Sequence, residues 1–162
     1  MKVVFLDVDG VLNCNRTAVA FGGIPSGMKP GSVSRLDPVA LGLIRRICAA
    51  ADAKVVLSST WRKCRPWQEY AIEFGLPIID ATPRWSERGH ERGHEIADWL
   101  ADHIECTHYA IVDDDSDMLP HQMPQLVHTN GFDGFTWANA ERLAQILGIN
   151  VWDCRRIPVA NE

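Results

Sequence analysis

Asp7 and Asp9, one residue apart at the end of the apolar run 3–6, are the first residues whose types and spacing point to chemistry. Along a continuing strand their side chains point to opposite faces, but Gly10 follows and lets the chain turn, so both can bend toward one point. Two like charges so close are costly to bury unless a cation neutralises them. A hard divalent ion with oxygen ligands, Mg2+, is the natural partner; the alternative is a pair of turn and helix-capping aspartates at a strand–loop junction. A second acidic group, Asp113-Asp114-Asp115 with Asp117 beyond it, follows the apolar run 109–112. With Asp7 and Asp9 it can complete a Mg2+ shell that keeps some water ligands and meets a phosphate, unless it is a solvated acidic turn. Between the two groups, 55–57 leads into Ser58-Ser59-Thr60, whose hydroxyl and backbone donors suit phosphate oxygens or serve merely as a cap. Arg92 supplies a positive charge to offset phosphoryl oxygens as charge spreads in a transition state.

The elements that must position these residues show in the hydrophobic pattern. Five short apolar runs, 3–6, 55–57, 76–79, 109–112 and 126–127, alternate with mostly helical pattern; the first, second and fourth are nearly all apolar, as strands buried on both faces should be. A Gly- and Pro-rich loop is expected over 13–36. Asp37 then caps a helix with Pro38 in its first turn and Leu41, Ile44, Ile47 and Cys48 on one face. Further helices are expected over 66–74, stopped by Gly75, over 93–103 with Ile96, Trp99 and Leu100 as the apolar face, and over 137–147, ending at Gly148. Strands and helices alternating in this way predict an α/β fold: a doubly wound, Rossmann-like parallel sheet of about five strands. Ligands of such sheets bind at the carboxyl ends of the strands, where Asp7 and Asp9, Ser58 to Arg62, Asp80, and Asp113 to Asp117 all fall.

The 162 residues are expected to form one domain. No run of some eighteen apolar residues suits a membrane span, and the apolar start breaks at Asp7 without a small-residue cleavage site; a cytoplasmic protein is expected, with no obligate protein partner inferred. The net charge of −5 argues against a broad surface that coats nucleic acid, though not against a local basic pocket. Five scattered cysteines without a Cys-x-x-Cys pair read as free thiols in a reducing compartment.

Asp7-Val8-Asp9-Gly10-Val11-Leu12, Ser58 at a strand end, Arg92 and Asp113-Asp114 resemble, in this order, the four motifs of the haloacid dehalogenase (HAD) superfamily of phosphohydrolases, over nearly the entire chain. Ser58-Ser59-Thr60-Trp61-Arg62, the segment from Arg92 to Leu100 and Gly134-Phe135-Thr136 are similar to a smaller branch: compact HAD domains found alone, in phage and bacterial proteins, or in multidomain RNA-repair proteins. The resemblance implies a phosphatase. Asp7 attacks phosphorus to form an aspartyl-phosphate. Asp9 protonates the leaving oxygen and then deprotonates the hydrolytic water. Mg2+ is held by Asp7, the backbone carbonyl of Asp9, and Asp114, with Asp113 in support. Gly10, Ser58, Ser59 and Arg92 bind the phosphoryl group. Ser59 replaces Ser58 if the strand runs one residue longer, and Asp117 competes with Asp114 for the place beside Asp113. The carboxylic acid at position 9 favours a phosphatase over a dehalogenase or phosphomutase, by the same resemblance.

The segment 13–36 has room for a flexible flap but not for a folded cap domain. An open site of this kind suits a nucleotide or a phosphorylated nucleic-acid end better than a small sugar phosphate. Arg84, Arg88, Arg92 and nearby histidines are expected as a basic rim. Trp61 and Trp85 fall near the active end, either to stack on a base or to pack in the cleft wall, whereas Trp99 and Trp137 are expected in the core. Two rival readings are a catalytically idle HAD-like phosphate-binding module and a zinc metalloprotease through His90-Glu91-Arg92-Gly93-His94. The second is opposed by Gly89 and Gly93, because a loop does not hold two imidazoles at helical spacing.

Overall fold

A computed structural model describes residues 1–83 and 92–156. Its centre is a five-stranded, all-parallel sheet in the order β3-β2-β1-β4-β5. The strands are β1 (Lys2–Leu6), β2 (Ala53–Leu57), β3 (Ile78–Ala81), β4 (His108–Asp113) and β5 (Leu126–His128). Side chains alternate across a strand, and the two faces separate accordingly. Val4, Leu6, Val55, Leu57, Ala110 and Val112 pack against α2 (Pro38–Ala51), α3 (Trp67–Phe74) and α5 (Trp137–Ile146). Val3, Phe5, Val56 and Ile111 pack against α4 (Arg92–Asp102) through Ile96 and Trp99. Both faces being covered explains why β1 and β4 read as unbroken apolar runs.

Helix boundaries reflect local chemistry. The Asp37 carboxylate accepts hydrogen bonds from the amides of Val39 and Ala40 at the start of α2, with Pro38 at its first position. Gly75 closes α3 in the left-handed conformation. At α5, Thr136 and Asn139 form a reciprocal capping box.

Three expectations are corrected. The segment 13–36 is not loop throughout: it carries α1 (Asn15–Phe21) and a 3-10 turn at Ser32–Arg35. A Thr17 hydroxyl contact with the Cys14 amide satisfies an otherwise unpaired donor at the start of α1. Asp80 does not join the other strand ends; its carboxylate accepts the Trp99 indole N–H at 2.7 Å, on the sheet face covered by α4. Trp137 is 42% exposed and packs on Trp152 rather than in the core, because it opens α5 at a position off the Ala140–Leu143–Ala144 stripe.

Strand register sets the geometry at the carboxyl end of the sheet. Leu6 pairs with Leu57 on one side and with Val112 on the other. The next residues, Asp7, Ser58 and Asp113, therefore emerge abreast. Strand parity carries all three toward the face occupied by α4.

Arg62 joins these strand ends to α4. Buried almost completely, it donates to the carbonyls of Ser58, Ser59 and Thr82 and pairs with Glu95 of α4 at 2.6 Å. Desolvating both ions is costly, so the pair contributes mainly by fixing geometry, and removing one partner leaves a buried charge uncompensated. Glu95→Ala is expected to cost about 3–5 kcal/mol in urea unfolding. A loss below about 1 kcal/mol, typical of a surface pair, would show that Arg62 does not depend on Glu95.

Candidate active site

The first turn of the site is built by Gly10. Its φ of +73° lies in the left-handed region, and a Cβ there would stand 2.0 Å from Asp114 Oδ2. Glycine thus answers two demands at once, the backbone reversal after β1 and the close approach of Asp114. The Gly10 carbonyl accepts the Thr129 hydroxyl at 2.9 Å, which ties the turn to the end of β5.

Asp7, Asp113 and Asp114 each bring a carboxylate oxygen within 4.8 Å of the others. Asp7 and Asp113 are buried, and Asp114 is half-buried. Arg92, the first residue of α4, reaches back into this group: Nη2 is 3.4 Å from Asp7 Oδ1 and Nε is 3.1 Å from Asp113 Oδ2. Arg92 itself is placed by three contacts at the start of α4. Its amide donates to Asp117 Oδ2 at 2.9 Å, the Gly93 amide donates to the Asp117 carbonyl, and Gln122 donates to the Gly93 carbonyl. A Cβ on Gly93 would lie 2.5 Å from the Leu119 amide nitrogen, so only glycine lets the helix sit this close. Asp117 is therefore engaged in capping α4, and Asp114 is the residue beside Asp7 and Asp113.

Asp9 stands apart from that cluster. Its two carboxylate oxygens accept one hydrogen bond each, from the Asn13 amide at 2.8 Å and the Trp61 indole N–H at 2.9 Å. Trp61 is 4% exposed and packs on Tyr70 and Phe74, so its ring is occupied as a support and is not available for stacking. Of the two expectations for Trp61, packing in the cleft wall is the one met, but its hydrogen bond to Asp9 was not foreseen, and Asn13 carried no expected role. The only signal was their place, four residues after Asp9 and just after the hydroxyl run.

The hydroxyls divide. Ser59 caps the 3-10 turn at Thr60–Lys63 and its side chain hydrogen-bonds Asp7. Ser58 is fully buried, and its Oγ has no hydrogen-bond partner among the described residues. Buried polar atoms are seldom left unpaired, so this hydroxyl, level with Asp7, has a hydrogen bond still to give. Of the expected basic rim, Arg84 and Arg88 lie outside the described residues, as do Trp85 and the His90-Glu91 half of the zinc motif.

The electrostatics fit a cation. Burial, and then the charge of Asp113, push the Asp7 carboxyl up to about 8, against the opposing pull of Arg92 and the Ser59 hydrogen bond. Burial likewise raises Asp113 to about 6, with Arg92 working the other way. Asp113 Oδ2 accepts no aligned hydrogen bond. An all-oxygen set of buried carboxylates with one arginine for countercharge suits Mg2+. Without a cation, the folded chain keeps protons that the unfolded chain, with carboxyls near about 4, has released. The folded values are raised, so stability falls as pH rises from about 4 toward about 8. In chelator, the melting temperature should drop between about pH 6 and about pH 8, and Mg2+ should raise it more at the upper value. An equal Mg2+ effect at both values would mean that these carboxyls do not take up the ion.

Compared with known proteins, residues 3–140 match the family described as the HAD domain in Swiss Army Knife RNA repair proteins. No curated protein and no solved structure matches the chain. The match runs from β1 into α5 and takes in every strand and all of the site residues. The chain belongs to this family of HAD domains.

Proposed function

We propose that the chain is a Mg2+-dependent phosphomonoester hydrolase that works through an aspartyl-phosphate and acts on a nucleotide or a phosphorylated nucleic-acid end. The observation that carries this reading is the meeting of Asp7, Asp113, Asp114 and Arg92 beside the unpaired Ser58 hydroxyl. The family, whose members belong to RNA repair proteins, supports the substrate class. An idle phosphate-binding module needs the arginine and hydroxyls but has no use for a separately held Asp9.

In this reading Asp7 Oδ attacks phosphorus while the bond to the leaving oxygen breaks, and the phosphoryl group passes to the carboxylate. Arg92 and the serine hydroxyls at 58 and 59 orient the phosphoryl oxygens and offset their charge. Mg2+ held by Asp7, Asp113 and Asp114, with the Asp9 carbonyl, would supply further charge neutralisation at those oxygens. Asp9 gives its proton to the leaving oxygen; it later takes one from the water that hydrolyses the aspartyl-phosphate, which returns both residues to their starting forms. Asn13 and Trp61 hold the Asp9 carboxylate in position for both transfers.

Hydrolysis of a generic aryl phosphate with Mg2+ tests the reaction. Activity should vanish with EDTA and with Asp7→Asn, and activity that survives either treatment defeats the mechanism. Trp61→Phe keeps an aromatic ring but removes the N–H that holds Asp9. It should lower kcat by about 10-fold, less than the roughly 100- to 10,000-fold that a general acid–base contributes in full, while Mg2+ binding stays unchanged; an unaltered kcat would show that Asp9 needs no such support.

A further inference from the structure

The site opens into a cavity of about 480 Å3 walled in part by Asp9, Asn13, Ile24, Ser26, Trp61 and Asp114. Among the described residues, the only charged side chains on that wall are carboxylates, Asp9 and Asp114. That wall therefore offers no cation to a leaving group that itself carries phosphate. A neutral group needs none, and the volume falls in the range of small-ligand sites.

A second cavity, of about 270 Å3, adjoins the first, and Ile24, Pro25 and Ser26 line both. Its charge is of the opposite sign: Lys29 and Arg35 are its only ionisable lining residues among those described. Both are exposed, and neither forms an ion pair with a described residue. The order outward from Asp7 is therefore a phosphoryl site, a neutral-to-acidic cavity, and a cationic cavity. A phosphorylated nucleic-acid end has the complementary order: a terminal phosphomonoester, an uncharged nucleoside, and then a backbone phosphodiester. A mononucleotide supplies only the first two. The net charge of −5 works against a broad polyanion surface, so a pair of cations beside the cleft gives a strand a local way out.

We propose that Lys29 and Arg35 form a subsite for the first internucleotide phosphate of a phosphorylated nucleic-acid end whose terminal nucleoside fills the cavity beside Asp9. This subsite rests on the phosphatase reading for the placement of the terminal phosphate, and it favours a strand end over a free nucleotide as substrate.

Binding separates the two claims. In an Asp7→Asn background, which retains bound substrate, a dye-labelled hexanucleotide with a 5′- or a 3′-terminal phosphate is titrated by fluorescence anisotropy with Mg2+ present. A nucleoside monophosphate is measured as its competitor. Adding Lys29→Ala and Arg35→Ala, both at exposed positions, should weaken binding of at least one hexanucleotide about 10-fold. It should also reduce the salt slope by roughly 0.7, as for one single-strand phosphate, and leave the mononucleotide unchanged. The hexanucleotide that responds identifies which end enters the site. Undiminished binding of both hexanucleotides, or equal weakening of the mononucleotide, overturns the subsite. Phosphate release from the same hexanucleotides by the unsubstituted chain is measured in parallel. No release, together with binding that depends on Lys29 and Arg35, would count against the phosphatase reading and leave the subsite standing.

Discussion

Three carboxylates held within 4.8 Å of each other, two of them buried, are the constraint around which this chain is arranged. Like charges at that distance in a poorly hydrated place repel strongly, and an isolated loop carrying them would swing apart. They stay together because each is mounted on a strand end that hydrogen bonds to its neighbour. The Asp7 amide donates to Val112, the Ser58 amide to Leu6, and the Thr129 amide to Asp113. The parallel sheet supplies the rigidity, and the countercharge comes from Arg92 across the α4 face.

Arg92 works only if α4 is held at a fixed height, and two buried polar arrangements see to that. Asp117 and Gln122 grip the first turn of the helix through its backbone. Glu95, one turn further on, is fixed by Arg62, whose remaining donors bind the carbonyls that come after β2 and β3. Glu95 also lies 4.0 Å from Arg92, so the same carboxylate that pairs with Arg62 faces the arginine that reaches the Asp7–Asp113 cluster. Apolar packing of Ile96 and Trp99 on Phe5 sets the helix on the sheet; the ionic contacts set where along the sheet it begins.

Much of the frame was legible in the residues because it rests on periodic burial. The apolar runs at 3–6 and 109–112 fell within β1 and β4, and Asp37-Pro38 and Gly75 marked helix ends through chemistry that acts within a few residues. What was not legible depended on contacts between distant segments. Register alone decides that Asp7, Ser58 and Asp113 stand abreast, and no local pattern encodes register. Asp80 looked like another strand-end acid, but a tryptophan nineteen residues on claims it. That Asp117 caps α4 while Asp114 stands beside Asp7 follows from where α4 begins, a matter of how Gly93 meets Leu119. The hydrogen bonds of Asn13 and Trp61 to Asp9 were not legible because a side chain that merely holds another carries no signature of its own.

The Gly27 carbonyl accepts hydrogen bonds from Tyr70 and Arg65, and a Cβ at that position would stand 2.9 Å from the Trp61 ring. One residue of the segment beside the cleft is thereby pinned to Tyr70 and Arg65, with no room before the indole that hydrogen-bonds Asp9, while its neighbours Ile24 and Met28 stay largely exposed. Variation in this segment is thus unequal in consequence. Ile24, which lines the cavity, can be exchanged with little disturbance below, whereas any side chain at 27 pushes on the indole that hydrogen-bonds Asp9. The fold thus sets a position where the cavity lining is free to vary beside one where any added atom reaches the support of Asp9.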